Sequence, residues 1–189
     1  MKPIKFKFNE RKAVQAAGRL ILQGGGEMNY MALLKLLYLI DREALLRWGR
    51  PVTGAAVVAM SRGPVLSQVF DRVSQKKQNL SESVWHKFIP RPASYVYTVR
   101  FSEVPDTTAL SEAEIALIDE VFAAHRNKSE DELVDFTHQL PEWRDPGKTS
   151  VPIPFEDILK AGKKTAAQIA AIAREAEADA YMDEALTSV

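Results

Sequence analysis

"NYMALLKLLYLIDREALLRWGRPVTG", residues 29–54, is the stretch on which the fold of this chain turns. Asn29 is a good helix N-cap, and in that register Met28 and Leu33 take the N′ and N4 positions of a hydrophobic staple. From Met31 to Ile40 only Lys35 is charged, so nearly every face of the predicted helix is apolar. Such a helix belongs in the middle of a domain, covered on several sides. Trp48-Gly49 closes it, and Arg50-Pro51 keeps it from continuing because the residue before a proline avoids the α region. Within this apolar run Lys35, Tyr38 and Asp41 recur every third residue along one inclined row. One reading is a buried polar thread, with Asp41 accepting from Tyr38 or from backbone amides of the Thr53-Gly54 turn. The other is a polar notch that reads a partner. Buried polar groups demand partners, which favours the thread.

Around that helix the composition sets limits. The 189 residues favour one domain with an appendage, and 46% apolar residues suffice for a real core. There is no cysteine, which excludes disulfides, thiolate chemistry and Cys-ligated zinc. "MKPIKFKFNERK" lacks the apolar core of a secretory signal, and no stretch approaches the roughly 18 uninterrupted apolar residues of a membrane span. A cytoplasmic setting is expected. Net charge is zero, but residues 1–100 hold 17 Lys+Arg against 6 Asp+Glu, and residues 101–189 hold 8 against 19. Either the halves fold together and neutralise each other, or one presents its charge to a partner.

Outward from the central helix, residues 9–23 read as an amphipathic helix capped by Asn9 and ended by Gly24-Gly25-Gly26. Val57, Val58 and Met60 suit a short buried strand or an extended turn. Gly63-Pro64 is expected to open a helix through Val65, Val69, Phe70 and Val73, with Pro64 at its first position. Residues 74–83 are polar and read as a surface loop. Residues 84–101 read as the β part: Trp85, Phe88 and Ile89 lead to a bend, then Tyr95, Tyr97, Val99 and Phe101 alternate as in a strand. Two further helices carry capping boxes, Ser111 with Glu114 and Ser129 with Glu132, and Pro141 stops the second. An extended Pro-rich bridge runs into a short helical turn near Phe155. Residues 163–186 form a final alanine-rich helix. The expected fold is mainly α (α+β): a compact helical domain with a small antiparallel β-hairpin, residues 1–155, and a C-terminal helical extension, residues 156–189.

No catalytic device stands out. The three histidines, His86, His125 and His138, lack metal-ligand spacing, and no nucleophile elbow occurs. No cofactor is expected. His138 and Trp143, in "DFTHQLPEWRD", suit a boundary histidine and a lid over the core, while Trp143-Arg144 also fits a contact hot spot. The last helix carries a small-residue seam of Ala166, Ile169, Ala170, Ala173, Ala176, Ala180 and Tyr181. It packs on its own domain or docks on a partner.

"LLKLLYLIDREALLRWGRPVTG", "AMSRGPVLSQVFD" and "DFTHQLPEWRD", in that order, resemble the Panacea domain, the SocA-like or GepA-like phage-associated domain. The similarity extends over roughly residues 10–150. It rests on Lys35, Tyr38 and Asp41, on Gly49, Pro51, Thr53 and Gly54, on Gly63-Pro64-Val65, and on Thr137-His138 with Trp143. The resemblance implies a compact, mainly helical antitoxin of bacterial and phage toxin–antitoxin pairs, which binds and neutralises a toxin encoded next door. At least one relative is also a proteolytic adaptor, which gives the alternative of delivering a partner to a bacterial protease; self-association is a further partnership open to the chain. The scaffold signature is then separate from the surface that meets the cognate toxin, for which the strand edge 95–101 and the helix 163–186 are the expected sites. Tyr95, Tyr97, Arg144, Ile169, Ile172 and Tyr181 are the candidate contacts. A DNA-binding transcriptional regulator is a third class, using the basic half and the Pro64 helix as part of a helix-turn-helix, although no recognition helix rich in Arg, Asn and Gln is present.

Overall fold

A computed structural model describes residues 3–74, 83–90 and 98–187. The elements in chain order are α1 (Glu10–Gln23), β1 (Glu27–Asn29), α2 (Tyr30–Trp48), β2 (Val57–Met60), β3 (Gly63–Leu66), α3 (Ser67–Ser74), α4 (Val84–Phe88), β4 (Thr98–Arg100), α5 (Glu112–His125), α6 (Glu130–His138), β5 (Val151–Ile153), α7 (Phe155–Ala161) and α8 (Ala166–Thr187). The fold is mainly α with small antiparallel sheets, as expected.

Every residue from Leu33 to Asp41 is buried, so α2 is the hub of the core. It packs against α1, α3, α5, α6, α7, β1 and β3. Its ends follow local rules. The Asn29 side chain accepts from the amides of Met31 (2.8 Å) and Ala32 (3.4 Å), and Gly49 closes the C-terminus in the left-handed region at φ 75°. The helices α5 and α6 begin at complete capping boxes on Ser111 and Ser129. Asn9 caps α1 as expected, but Gly24 (φ −76°) is not left-handed; Gly25 and Gly26 are, at 92° and 97°.

Three local expectations are corrected. Residues 63–66 are a strand rather than the start of a helix: β3 pairs with β2 in the register Met60↔Gly63 to Val57↔Leu66, and the helix begins only at Ser67. This is the hairpin of the fold, closed by Ser61-Arg62, a two-residue connection without the Asn-Gly signature that betrays such turns. Residues 84–88 form the short helix α4, with His86 on it, because the Glu10 carboxylate of α1 takes the Trp85 amide (3.1 Å) and draws that segment into a helical turn. Finally, β4 pairs with β1 (Met28↔Val99), and residues 84–88 of the expected hairpin are helical. Tyr95 and Tyr97 lie outside the described residues.

The second sheet has the order β3-β2-β5. Both edge strands carry a proline, Pro64 in β3 and Pro152 in β5. Proline cannot donate to a ladder, so both edges are blunted against further strands.

The division of charge is resolved within the molecule. Cations of the first half meet carboxylates of the second in Lys7–Asp183, Arg11–Asp106, Lys12–Glu114, Arg19–Asp119, Arg42–Glu142, Arg47–Glu120 and Arg62–Asp131, at 2.5 to 3.6 Å. Most are solvent-exposed, where water screens them and each contributes little; Arg42–Glu142 is the buried exception. The two halves share one hydrophobic core, and these pairs lie across it.

Candidate functional site

The row on α2 does not form one thread; its three polar groups fan out and pin three different segments. Asp41, 2% exposed, accepts from the Thr53 amide (2.8 Å) and from the Thr53 hydroxyl. Burial raises its carboxyl to about 7, against the pull of the Thr53 and Val52 hydrogen bonds. Tyr38 does not donate to Asp41. Its hydroxyl donates to Glu142 Oε1 at 2.7 Å, and its ionisation is pushed well up by burial and by the Glu142 charge. Arg42, one residue after Asp41, donates from Nε to the same oxygen at 2.6 Å. The Glu142 side chain is fully buried and held by both groups. Lys35, wholly buried, donates from Nζ to the Pro64 carbonyl at 3.0 Å. Burial, then the charge of Arg62, lowers its ammonium to about 7.

The segment after α6 completes this frame. The His138 ring stacks on Trp143, with centroids 3.9 Å apart and planes at 9°, and Trp143 Nε1 donates to the Met60 carbonyl at 3.2 Å. Lys35 Nζ, Thr137 Oγ1 and the His138 ring all converge on Gly63, where a Cβ would lie 2.7, 2.8 and 3.3 Å from Thr137, Lys35 and His138 respectively. The Thr137 hydroxyl donates to the Val134 carbonyl at 2.9 Å. Burial and the neighbouring Lys35 charge lower the His138 pKa. Lys35, Gly63, Pro64, His138 and Trp143 therefore meet around the β2–β3 hairpin, and Tyr38 is tied to the same segment through Glu142. Asp41 and Thr53 hold the turn on the other side of α2.

That turn receives the segments that lie outside the motif region. Gly49 has φ 75°, and a Cβ there would sit 2.9 Å from Ile172 of α8. Gly54 has φ 71°, and a Cβ there would sit 2.2 Å from the Lys7 carbonyl. Only glycine combines the left-handed backbone with this closeness. The extended segment 3–9 crosses here. The Asn9 amide donates to the Thr53 carbonyl (2.7 Å), the Ile4 amide donates to Glu156 Oε1 (2.7 Å), and the Phe6 ring meets Phe155 edge-on at 5.0 Å. Phe155, Ile158 and Leu159 of α7 belong to the core, and α8 is seated through Ile169, Ile172 and Ala176.

Beyond that seat α8 is bare. Each residue from Glu177 to Asp183 is exposed, Tyr181 to 72% and Met182 to 59%. Ile169 and Ile172 thus face the body while Tyr181 faces solvent. Arg144 stands elsewhere, on the rim of an open groove of about 590 Å³ between the segment 141–146, β5 and α7. Two further grooves, of about 430 and 440 Å³, flank α8 where it crosses residues 3–7. The remaining histidines are packed: His86 lies 3.2 Å from the Arg72 carbonyl, and His125 tilts onto Phe136 at 4.9 Å. Among the described residues no group of His, Asp and Glu is placed to hold a metal ion, and no helix is long and apolar enough to cross a membrane.

Sequence reasoning missed Glu142, its partner Arg42 and the seat of α8 on Gly49. A trace of the first was present, since a carboxylate between Pro141 and Trp143 sits where a helix stop turns back over the core.

The family model of the antitoxin SocA-like, Panacea domain matches residues 33–144, more than half of the chain. The matched span runs from the start of the buried stretch of α2 to Arg144, and includes Glu142 and Trp143. The segment 3–9 and the helices α7 and α8 lie outside it. Neither the curated proteins nor the solved structures give a match. The frame built on Lys35, Tyr38, Asp41 and Glu142 lies within the matched span, and the chain belongs to the SocA-like antitoxin, or Panacea domain, family.

Proposed function

We propose that this protein is the antitoxin of a bacterial or phage toxin–antitoxin pair and neutralises the toxin of a neighbouring gene by direct protein–protein contact. Family membership carries this reading. In it, residues 1–155 are the scaffold and residues 156–189 carry the recognition surface, seated on the scaffold through α7 and the first turns of α8. Binding rather than catalysis is the mode of action, since the buried polar groups of α2 are spent on fixing backbone segments.

Two observations separate this reading from its rivals. Seven of the 17 cations of residues 1–100 are answered by carboxylates of residues 101–189, which leaves less free basic surface for phosphate contacts than the charge count suggests. The segment expected to supply part of a helix-turn-helix starts as the strand β3, and only Ser67–Ser74 of it is helical. The test is growth rescue: the adjacent reading frame is induced with and without this protein. Arrest by the neighbour, relieved by co-expression at unchanged neighbour level, is the expected result. Relief accompanied by rapid loss of the neighbour would favour a proteolytic adaptor, and failure of relief would remove the antitoxin reading.

A further inference from the structure

We propose that the tip of α8, Glu175 to Asp183, is the element the toxin engages, and that it takes a cationic protein surface with an apolar hollow at its centre. The inference rests on the antitoxin reading and adds the chemistry of the partner.

Residues 175–184 hold Glu175, Glu177, Asp179, Asp183 and Glu184 and no Lys, Arg or His. Seven carboxylates of the acidic half pair with cations of residues 1–100, and at the tip Asp183 is one of them, held by Lys7 at 3.1 Å. Glu175 and Asp179 have no ion-pair partner among the described residues, and both are exposed. They share a helix flank with Met182, at i, i+4 and i+7, while Tyr181 projects from the opposite flank. Carboxylates thus run beside the two most exposed large hydrophobics among the described residues, while Lys5, Lys7, Lys12 and Arg50 line the groove that Asp179 and Met182 border.

Charge decides between occupants. A second copy would bring like-charged tips together, and an anionic lipid surface or a nucleic acid would be repelled. A cationic protein face is attracted at long range and offers the apolar pair a place to bury. The tip is also held in position, because Ile172 sits against Gly49 and Ala176 against the body, so little ordering remains on binding.

The test uses the full chain and the tagged product of the adjacent reading frame, in co-expression and in pull-down, with wild type, E175K/D179K and Y181A/M182A. All four side chains are exposed, so thermal melts of the variants should overlay wild type, which separates binding from folding. Expected is loss of rescue by E175K/D179K, roughly tenfold or more weaker binding by each double variant, and wild-type affinity that falls as salt is raised. Wild-type rescue that E175K/D179K preserves, with salt-independent affinity, overturns the inference and leaves the antitoxin reading standing. Absence of rescue and of binding by wild type defeats the antitoxin reading, and the inference with it.

Discussion

The two longest helices of the molecule make opposite use of their residues. In α2 nine consecutive positions, Leu33 to Asp41, are buried, and each polar group among them is committed to a backbone segment or a side chain. In α8 the first turns sit on the body, but each residue from Glu177 to Asp183 is exposed. The first helix lies inside the family match and the second outside it. A core helix is constrained on every side, so its polar residues are structural obligations. An uncovered helix is constrained only by its propensity to be helical, which alanine supplies, and its exterior is free to suit a partner. Stability should therefore reside in α2 and recognition in α8, and substitutions can break that division.

The largest effect is expected at the buried ion pair. Arg42→Met strands the fully buried Glu142 carboxylate with only Tyr38 to donate to it, and the loss should be about 3–5 kcal/mol in urea denaturation. A change below about 1 kcal/mol would mean that the frame around α2 does not carry the fold.

Next comes Asp41→Ala, which leaves the buried Thr53 amide without its acceptor and should cost about 1–3 kcal/mol. Its ionisation adds a pH signature. The folded carboxyl titrates near 7, above its ordinary value, so between about 4 and 7 the folded state holds a proton the unfolded chain has lost, and stability falls as pH rises through that window. Lys35 works the other way. Its folded ammonium titrates near 7, below its ordinary value, so between about 7 and 10.5 the unfolded chain holds the extra proton and stability rises with pH. Melting temperature against pH should therefore dip near neutrality. Asp41→Asn should flatten the acid limb and Lys35→Met the alkaline limb; limbs unchanged by either variant would contradict these assignments.

Gly49→Ala is expected to cost about 1–2 kcal/mol, from a left-handed backbone bearing a Cβ and from displacement of Ile172. Its more telling effect is on α8, which should become cleavable by trypsin at Arg174 before the body unfolds. Resistance equal to wild type would show that the turn is not the seat of the helix. The smallest effect belongs to the tip: Tyr181→Ala should move stability by no more than about 0.5 kcal/mol. Any larger loss would mean the tip is part of the fold, and the contrast between the two helices would fail.

How much could be read in advance follows the range of the interaction involved. Asn29 and Gly49 mark the ends of α2 because a cap acts within a few residues of itself, and the pairs Ser111–Glu114 and Ser129–Glu132 start their helices for the same reason. Pro64 was misread because proline suits both the first turn of a helix and an edge strand. Only the pairing of β3 with β2, and the Lys35 ammonium on the Pro64 carbonyl, decide between them. The helical turn at Trp85 depends on Glu10, 75 residues away in sequence, and the pairing of β4 depends on β1.

The sequence by itself therefore determined the helical class, the central helix with its closing turn, the capped helices α5 and α6, and the separation of charge into two halves. Each of these is set by neighbours along the chain or by composition alone. Tertiary structure alone decided that Lys35, Tyr38 and Asp41 part company, that Glu142 receives both Tyr38 and Arg42, that the two charged halves answer each other, and that α8 rests on Gly49 with its tip bare. Those contacts join residues from 12 to more than a hundred positions apart, and their formation depends on the packed core that brings them together.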